Sequence, residues 1–359
     1  MNPLIVLMLI FFILGIVDKI IGGRLGFAAG LDRGLAQMGA LAMSMAGFYC
    51  IGVTLIQNHM EAITAAASGL PFDLSMIAGL LLAPDMGGFP MSVKLAASPE
   101  MGLFSGMLLA SSIGCLLSFQ LPVALTMIRA KDVSVMMRGI IPGVIAIPAG
   151  LLVGGLCLGL PPATVVFQMI PVLALCVLMA LGFGKIPAAM ERVLTVFGKL
   201  VRAIGILLFL VVMLGLFYEP LKVAEDALVF EALTVVVKIT VIVCGALSLS
   251  DLLMGRAKPL LAVISRRLGV NEPSVMGLFI SLTSGVAMLP LFEEMDTRGK
   301  LMNSAFTVMG AYVLGGQMAF IAGVTDGMSV GIYILAKLVG GVLAVFLAGR
   351  LCRRPASGK

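Results

Sequence analysis

The sequence has few charged residues, a single histidine and no tryptophan, and each scarcity excludes a class of protein. Charged residues make up 12% of the 359 positions, about half of the ~25% that is usual in soluble domains. Hydrophobic residues make up 60%, and the mean hydropathy is +1.16. A water-soluble globular fold is excluded, because this composition is typical of a chain that crosses a membrane many times.

Metal sites and nucleic-acid surfaces are also excluded. His59 is the one histidine, and the six cysteines are scattered without a C-x-x-C pair or any ligand spacing, so zinc, haem and iron–sulfur sites are not expected. The net charge is +6, but the basic residues lie between apolar runs and never alternate with aromatics. We therefore expect no cofactor, no metal and no nucleic-acid partner, and a lipid bilayer as the main surroundings.

Nine apolar runs are long enough to cross a bilayer, which takes about 20 residues. A cleavable signal peptide has basic residues ahead of its apolar stretch. The first run has none, so we interpret it as a transmembrane helix. The predicted spans are residues 3–22, 38–57, 102–124, 139–160, 165–183, 203–217, 229–248, 301–323 and 328–350.

Two further apolar stretches, 72–98 and 273–295, are interrupted in the middle. The first contains the run Pro84 to Pro90 with two glycines, and the second contains Thr283-Ser284-Gly285 and then Pro290. Proline removes a backbone donor and glycine weakens a helix, so each stretch is predicted to be two half-helices that meet at an irregular tip. We interpret both as re-entrant hairpins.

The loop charges agree with this interpretation. If both hairpins enter and leave on the same side, the basic segments 19–33, 129–138, 185–202, 256–267 and 298–300 and the tail after 350 fall on one face. Short basic loops lie in the cytoplasm. The predicted topology is an all-α polytopic protein with an outside amino terminus and a cytoplasmic carboxyl terminus.

The order of elements around the hairpins repeats. Each hairpin follows a span and a short interfacial helix (59–70 or 258–269) and precedes another span, and an offset of 199 places Asp85 opposite Ser284. Two units of opposite sidedness, 38–124 and 229–323, are typical of the inverted repeat of a secondary transporter. We predict one transmembrane transporter domain over 1–359, the alternative being a chance likeness of two kinked helices.

Asp85 is the central candidate residue, because a carboxylate in hydrocarbon is unfavourable unless it has a function or a partner. Gly87 and Gly88 beside it permit close backbone approach. Without a basic partner, Asp85 is free to bind a cationic ligand at the bilayer midplane. The alternative is that Asp85 caps the second hairpin arm by accepting from the N–H of Gly87 or Gly88.

Other candidate residues are polar side chains in or near the second hairpin and in the spans that follow each hairpin. Their alternative role is bonding to their own helix or joining helices together. The substrate-site candidates are Thr283, Ser284, Ser105, Asn303, Ser304 and Gln317. A mixed-charge cluster is either an inner gate or a hydrated turn, and its candidates are Glu293, Asp296 and Arg298.

Two segments, Leu82-Ala83-Pro84-Asp85-Met86-Gly87-Gly88-Phe89 and Met295-Asp296-Thr297-Arg298-Gly299-Lys300, resemble stretches of the bacterial ethanolamine-utilisation permease family, EutH. The Gly-rich last span (337–341) is also similar. The resemblance implies a multi-pass inner-membrane permease that admits protonated ethanolamine. The family pattern has an acid and a histidine where this chain has Gly316-Gln317, and paired asparagines where it has Ser284-Gly285, so the expected substrate extends to other amino alcohols.

The expected function is a permease that imports protonated ethanolamine by alternating access, as a uniport driven by the membrane potential. Alternatives are a proton- or sodium-coupled transporter of another small amine or of nucleosides, a receptor or scaffold, and an intramembrane enzyme. An enzyme is not expected, since Asp85 and Asp296 lie at different predicted depths and no nucleophile accompanies them. The sequence leaves open whether copies form a homo-oligomer.

Overall fold

A computed structural model describes residues 3–67, 69–256 and 258–351, and every regular element within these ranges is helical. The first α-helices are α1 (Pro3–Ile20), α2 (Ala28–Ala36), α3 (Met38–Ala67), α4 (Ser75–Leu81), α5 (Gly88–Leu95), α6 (Pro99–Leu103), α7 (Leu121–Met127) and α8 (Ala130–Cys157). They are followed by α9 (Pro162–Gln168), α10 (Ile170–Lys185), α11 (Pro187–Gly215), α12 (Asp226–Arg256), α13 (Lys258–Leu268), α14 (Glu272–Thr283), α15 (Thr297–Met309), α16 (Gly316–Val324) and α17 (Gly327–Leu351).

Six helical segments of the described chain are long and apolar enough to cross a membrane. A seventh is formed if α9 and α10, which meet at a bend of 41°, count as one span. They correspond to seven of the nine predicted spans; the other two are α1, with 18 residues, and the pair α15 and α16. The segments are Ala28–Ile56, Pro99–Leu125, Ala130–Cys157, Pro187–Gly215, Asp226–Leu249 and Gly327–Arg350. The chain is therefore an all-helical, multi-pass membrane protein, and the count of nine stays a prediction.

The first interrupted stretch folds into two short helices, α4 and α5, which pack against each other. Between them the chain makes a 3₁₀ turn, Pro84–Met86, and then a left-handed residue, Gly87, with φ of +92°. The carbonyl of Ala83 accepts from the N–H groups of Met86 and Gly88, both at 3.0 Å. The break thus lies at the proline and glycines that predicted it, and Asp85 is at the centre of the turn.

The second interrupted stretch has only one α-helical arm. Helix α14 ends at Thr283, Ser284 is extended (φ −157°, ψ 118°), and the chain returns through a 3₁₀ turn, Leu289–Glu294. Pro290 lies at the start of that turn and cannot supply a backbone donor there. The two hairpins therefore share the break but differ in their second arm.

The predicted span 301–323 is not one continuous helix. Helix α15 ends at Met309 and α16 begins at Gly316, and the chain between them runs beside the end of α14. The N–H of Tyr312 donates to the Ser281 carbonyl at 3.0 Å, and the N–H of Leu314 donates to the Leu282 carbonyl at 2.7 Å. A Cβ atom on Gly315 would lie 1.6 Å from the Thr283 carbonyl oxygen, so only glycine permits this approach.

Helices α8, α15 and α17 pack against one another, α1 packs on α12, and α3 packs on α11. The largest buried cluster includes Phe104, Met107, Ile147, Phe320 and Tyr333. The residues from Phe104 to Gly114, all buried, and from Leu116 to Gln120 form π-helical turns between α6 and α7. Such turns shift the register of a helix and are frequent at functional sites.

Asp18 closes the loop between α1 and α2. Its buried carboxylate accepts from the backbone N–H groups of Leu25, Phe27 and Ala28 at 2.6, 2.7 and 2.9 Å. These donors precede or begin α2 and have no partner within that helix. One side chain thus fixes the position of α2 against the end of α1.

We expect Asp18→Ala to lower the midpoint of thermal unfolding in detergent by several degrees, because three backbone donors lose their acceptor at once. The matched control is Asp32→Ala in the same region, since Asp32 is exposed and pairs only with the exposed Lys19 at the surface. The two midpoints are compared by following intrinsic fluorescence or light scattering on heating. Equal midpoints for both variants would contradict the role given to Asp18.

Candidate functional site

Asp85 lies at the tip of the first hairpin, half-buried and without a partner. Among the described residues it makes no ion pair within 4.0 Å, in contrast to seven ion pairs elsewhere. Its carboxylate accepts no hydrogen bond from another described residue. A carboxylate in the interior of a membrane protein is unfavourable when unpaired, so this group is available to a cation.

The capping role considered for Asp85 does not occur. The N-cap residue that precedes α5 is Gly87, and no side chain accepts a capping hydrogen bond at this end of the helix. The Gly88 N–H donates instead to the Ala83 carbonyl. Asp85 is therefore not needed to hold the hairpin together.

Several polar groups of other elements surround the Asp85 carboxylate. It interacts electrostatically with the Cys115 thiol and with the hydroxyls of Tyr312 and Tyr333. Ala83, Met86, Cys115 and Tyr312 belong to one buried cluster. The first hairpin, the π-helical stretch and the broken segment after α15 thus meet around Asp85.

A buried lysine also lies near Cys115. Lys337 of α17 is 1% exposed; its ammonium donates to the Ser111 carbonyl at 2.7 Å and to Oε1 of Gln317 at 3.4 Å. It also lies 5.4 Å from the centre of the Tyr333 ring. Neutral groups hold this cation, and no described carboxylate lies within ion-pair distance of it.

The candidates near the second hairpin divide into two groups. Ser284 lies beside the Tyr312 hydroxyl, and Gln317 contacts Lys337 and lies near Cys115. Thr283 instead donates its hydroxyl to the Ile280 carbonyl of its own helix at 2.8 Å. The structure brings Asp85, Ser284 and Gln317 into one cluster and gives Thr283 the local role considered as its alternative.

The remaining candidates bond to their own helix or join two helices. Ser105 donates to the Met101 carbonyl at 2.7 Å and Ser304 to the Lys300 carbonyl at 2.8 Å, each four residues back on its own helix. Asn303 donates to the Ser274 carbonyl at 2.8 Å, which ties α15 to α14. Their donor groups are therefore used within the fold, which is the structural role considered above as the alternative to substrate binding.

A small internal cavity lies between the second hairpin, α8, α15 and the π-helical stretch. Its polar lining comes from Gln120, Ser304 and Thr307, with Gly285 at the hairpin tip. The space open to the centre of a water molecule is about 10 Å³, which is enough for roughly one water. This cavity is therefore too small for an amino-alcohol molecule as it stands.

The gate candidates lie at the base of the second hairpin. Glu293 forms ion pairs with Arg129, just before α8, and with Lys131, in the first turn of α8, the latter at 3.3 Å. Asp296 caps α15 by accepting from Gly299 N–H at 2.6 Å and from Asn271 N–H at 2.5 Å. Asp296 thus has a structural role, while Glu293 connects two elements.

Arg298 has a buried Nε without a partner among the described residues. A mostly buried ion pair lies nearby between Lys300 of α15 and Asp132 of α8, at 2.7 Å. Their side chains are only 12% and 9% exposed. Sequence reasoning missed this pair, which joins α15 to α8, whereas Glu293 joins the second hairpin to the start of α8.

A second, open cavity of about 560 Å³ lies where α3 meets the segment before α12. Its lining includes Asn58, Lys222, Glu225 and Glu231. Lys222 donates to Asp226 at 3.1 Å, and this hydrogen bond holds the pKa of Lys222 above its usual value. This groove is acidic and hydrated, and it is separate from the Asp85 cluster.

Lys337 is the main residue of the cluster that sequence reasoning did not select. It lies in the predicted span 328–350, and an ionisable residue inside a span is a functional candidate by default, which is the rule that selected Asp85. Tyr333 gave no comparable signal, because a tyrosine in an apolar run is usually a packing residue.

Comparison with known proteins identifies the family. The family described as "Ethanolamine utilisation protein, EutH" matches residues 1–351. The chain is 34% identical to the probable ethanolamine permease EutH of Listeria monocytogenes, over 98% of this chain and 95% of the relative. It is 31% identical to the protein of the same name in Salmonella typhimurium, over 97% and 94%, and 30% identical to the uncharacterized protein YxeR of Bacillus subtilis, over 97% and 94%.

No solved structure matches the chain. The family match spans nearly all of the sequence, and the resemblance carried by the segments around Asp85 and Asp296 is confirmed. The protein is a multi-pass protein of the bacterial plasma membrane with a transporter role. The chain belongs to the EutH family of ethanolamine utilisation proteins.

Proposed function

We propose that this protein imports a small amino-alcohol cation, protonated ethanolamine first, with Asp85 as the ligand of the ammonium group. The observation that carries the proposal is the carboxylate of Asp85, which lies inside a membrane protein and, among the described residues, makes no ion pair and accepts no hydrogen bond from another residue. An ammonium ion brings three donors and one positive charge. The names of the relatives, probable ethanolamine permease, support the choice of substrate.

Alternating access is supported by matched contacts at the two hairpins. The carbonyls of Ser75 and Ser274, which are 199 residues apart, each accept a side-chain hydrogen bond: from Ser92 at 3.1 Å and from Asn303 at 2.8 Å. Ser105 and Ser304, also 199 apart, make the same four-residue back-bond. We infer an inverted repeat of units 38–124 and 229–323, whose re-entrant hairpins close the site from opposite faces.

The transport needs no second ion. An alkyl amine has a pKa near that of lysine, about 10, so almost all of it is charged at neutral pH and does not cross lipid. A membrane potential of ~100 mV, negative inside, contributes about 2.3 kcal/mol per charge, which corresponds to roughly 50-fold accumulation. A uniport is therefore sufficient for uptake.

The inner gate in this proposal is the contact of α8 with the base of the second hairpin and with the start of α15. The Lys300–Asp132 pair is mostly buried, so its removal leaves an unpaired charge in a region of low dielectric constant. The Glu293 pairs are more exposed and contribute less. Both connect elements that must separate when the site opens to the cytoplasm.

We expect Asp85→Asn to lower uptake of labelled ethanolamine by roughly 10- to 100-fold, because a charge-assisted hydrogen bond contributes about 1.5–3 kcal/mol. The assay is uptake into proteoliposomes that contain the purified protein. The thermal unfolding midpoint should be unchanged or higher, since Asp85 holds no other element. The control is Asp226→Asn, an exposed acid that pairs with Lys222; uptake by Asp85→Asn equal to that control would refute the assignment.

We expect uptake to follow an imposed potassium-diffusion potential and to be insensitive to a pH or sodium gradient imposed at zero potential. In proteoliposomes clamped with valinomycin, an inside-negative potential of ~100 mV should give roughly 50-fold accumulation at steady state. Accumulation driven by a proton or sodium gradient alone would contradict the uniport and show that transport is coupled to that ion. Choline and nucleosides as competitors test the alternative substrates in the same assay.

We expect the double variant Asp132→Asn with Glu293→Gln to speed amide hydrogen exchange over residues 284–295, because the hairpin loses its two ion pairs to Arg129 and Lys131 and the adjoining start of α15 loses its ion pair to α8. The measurement is hydrogen–deuterium exchange with mass spectrometry on the protein in detergent. The control variant Asp226→Asn breaks an ion pair remote from this hairpin and should leave exchange there unchanged. Identical exchange in the double variant and the parent would show that these pairs do not hold the hairpin closed.

A further inference from the structure

Tyr312 has the most unusual backbone conformation of the described chain. It is the one non-glycine residue there with a positive φ, +64°, a region that is unfavourable for residues with a Cβ atom. The surroundings impose it: the Tyr312 N–H donates to Ser281, and the next residues follow the end of α14 to Gly315. Such strained residues cluster at ligand sites.

The Tyr312 hydroxyl is buried, and the residue is only 6% exposed. The Ser284 side chain and the Val286 backbone lie beside this hydroxyl, but no described residue bonds to it with hydrogen-bond geometry. The two other tyrosine hydroxyls that lie against helices are satisfied: that of Tyr49 donates to Glu231 at 2.7 Å, and that of Tyr333 donates to the Tyr312 carbonyl at 3.2 Å. A buried hydroxyl without a partner is unfavourable. A phenylalanine at this position would pack equally well, so packing does not explain the hydroxyl oxygen of Tyr312.

The position of this hydroxyl relates it to Asp85. Tyr312 interacts electrostatically with Asp85 and lies in the same buried cluster as Met86 and Cys115. The side chain of Ser284 is close to it. A carboxylate and a hydroxyl, neither with a hydrogen bond of good geometry from another described residue, thus lie near each other between the first hairpin tip and the broken segment after α15.

We propose that the Tyr312 hydroxyl binds the hydroxyl group of the substrate while Asp85 binds its ammonium group; this rests on the function proposed above. A carboxylate alone would accept any small amine. A hydroxyl held rigidly at a second point selects an amine with an oxygen two carbons away, because an analogue without that oxygen leaves the Tyr312 hydroxyl unpaired. Tyr312 is then the residue that distinguishes an amino alcohol from a plain alkyl amine.

The test compares ethanolamine with ethylamine, which has the same carbon chain and charge and lacks the hydroxyl. In proteoliposomes, the concentration of each amine that half-inhibits uptake of labelled ethanolamine is measured for the parent and for Tyr312→Phe. We expect Tyr312→Phe to weaken ethanolamine roughly 3- to 10-fold, the effect of one neutral hydrogen bond. Inhibition by ethylamine should be unchanged or stronger. The preference for ethanolamine over ethylamine should therefore fall by at least roughly 3- to 10-fold.

The control is Tyr49→Phe, which removes a tyrosine hydroxyl that is bonded to Glu231 away from the cluster and should leave the preference unchanged. The thermal unfolding midpoint of Tyr312→Phe should not fall, since the lost oxygen has no partner in the protein. An unchanged preference in Tyr312→Phe, with normal ethanolamine uptake by the parent, would overturn the role of Tyr312 and leave the proposed function standing. Failure of the parent to take up or bind either amine would overturn both.

Discussion

The carboxylate of Asp85, inside an apolar helical protein and without a cation beside it, is the constraint around which the site is arranged. Charges interact strongly where the dielectric constant is low, so an unpaired carboxylate attracts any cation that reaches it. The fold makes this possible with backbone alone: the Ala83 carbonyl takes both donors of the hairpin turn, and the side chain of Asp85 is not needed there. A residue with no structural duty is free to change partners during transport.

Lys337 is a second ionisable residue of this cluster and also lies near Cys115. Its ammonium is held by a carbonyl, an amide oxygen and an aromatic ring, all of which are neutral, so it does not neutralise Asp85 by direct pairing. Gln317 accepts a hydrogen bond from Lys337 through its side-chain oxygen. In this cluster Asp85 and Lys337 thus lie at separate positions, and an arriving ammonium ion has a carboxylate that is not already occupied.

The sequence predicts the parts of the site that depend on local chemistry. The break at Pro84 and Gly87, the extended residue Ser284 and the kink at His59 (φ −124°) before the predicted interfacial helix all lie where proline, glycine or a polar residue interrupts an apolar run. The break between Met309 and Gly316 is not predicted from the sequence, because its glycines do not by themselves distinguish it from a continuous span such as α17, which contains Gly340 and Gly341. It arises from hydrogen bonds to Ser281 and Leu282, which are 31 and 32 residues away in sequence and depend on the tertiary fold.

The same distinction explains which candidate residues join the cluster. Serines and asparagines in spans can bond to nearby carbonyls, and Ser105, Ser304 and Asn303 do so, which the sequence allows but does not require. Tyr312 cannot reach a carbonyl of its own turn, because the left-handed backbone directs it away from a helix. The unwinding after α15 therefore has two effects: it satisfies backbone donors against the second hairpin, and it places an unsatisfied hydroxyl near the tip of the first. A movement of either hairpin would change the distance between that hydroxyl and Asp85, so a ligand that bonds to both groups would stabilise the closed arrangement more than a ligand that bonds to one.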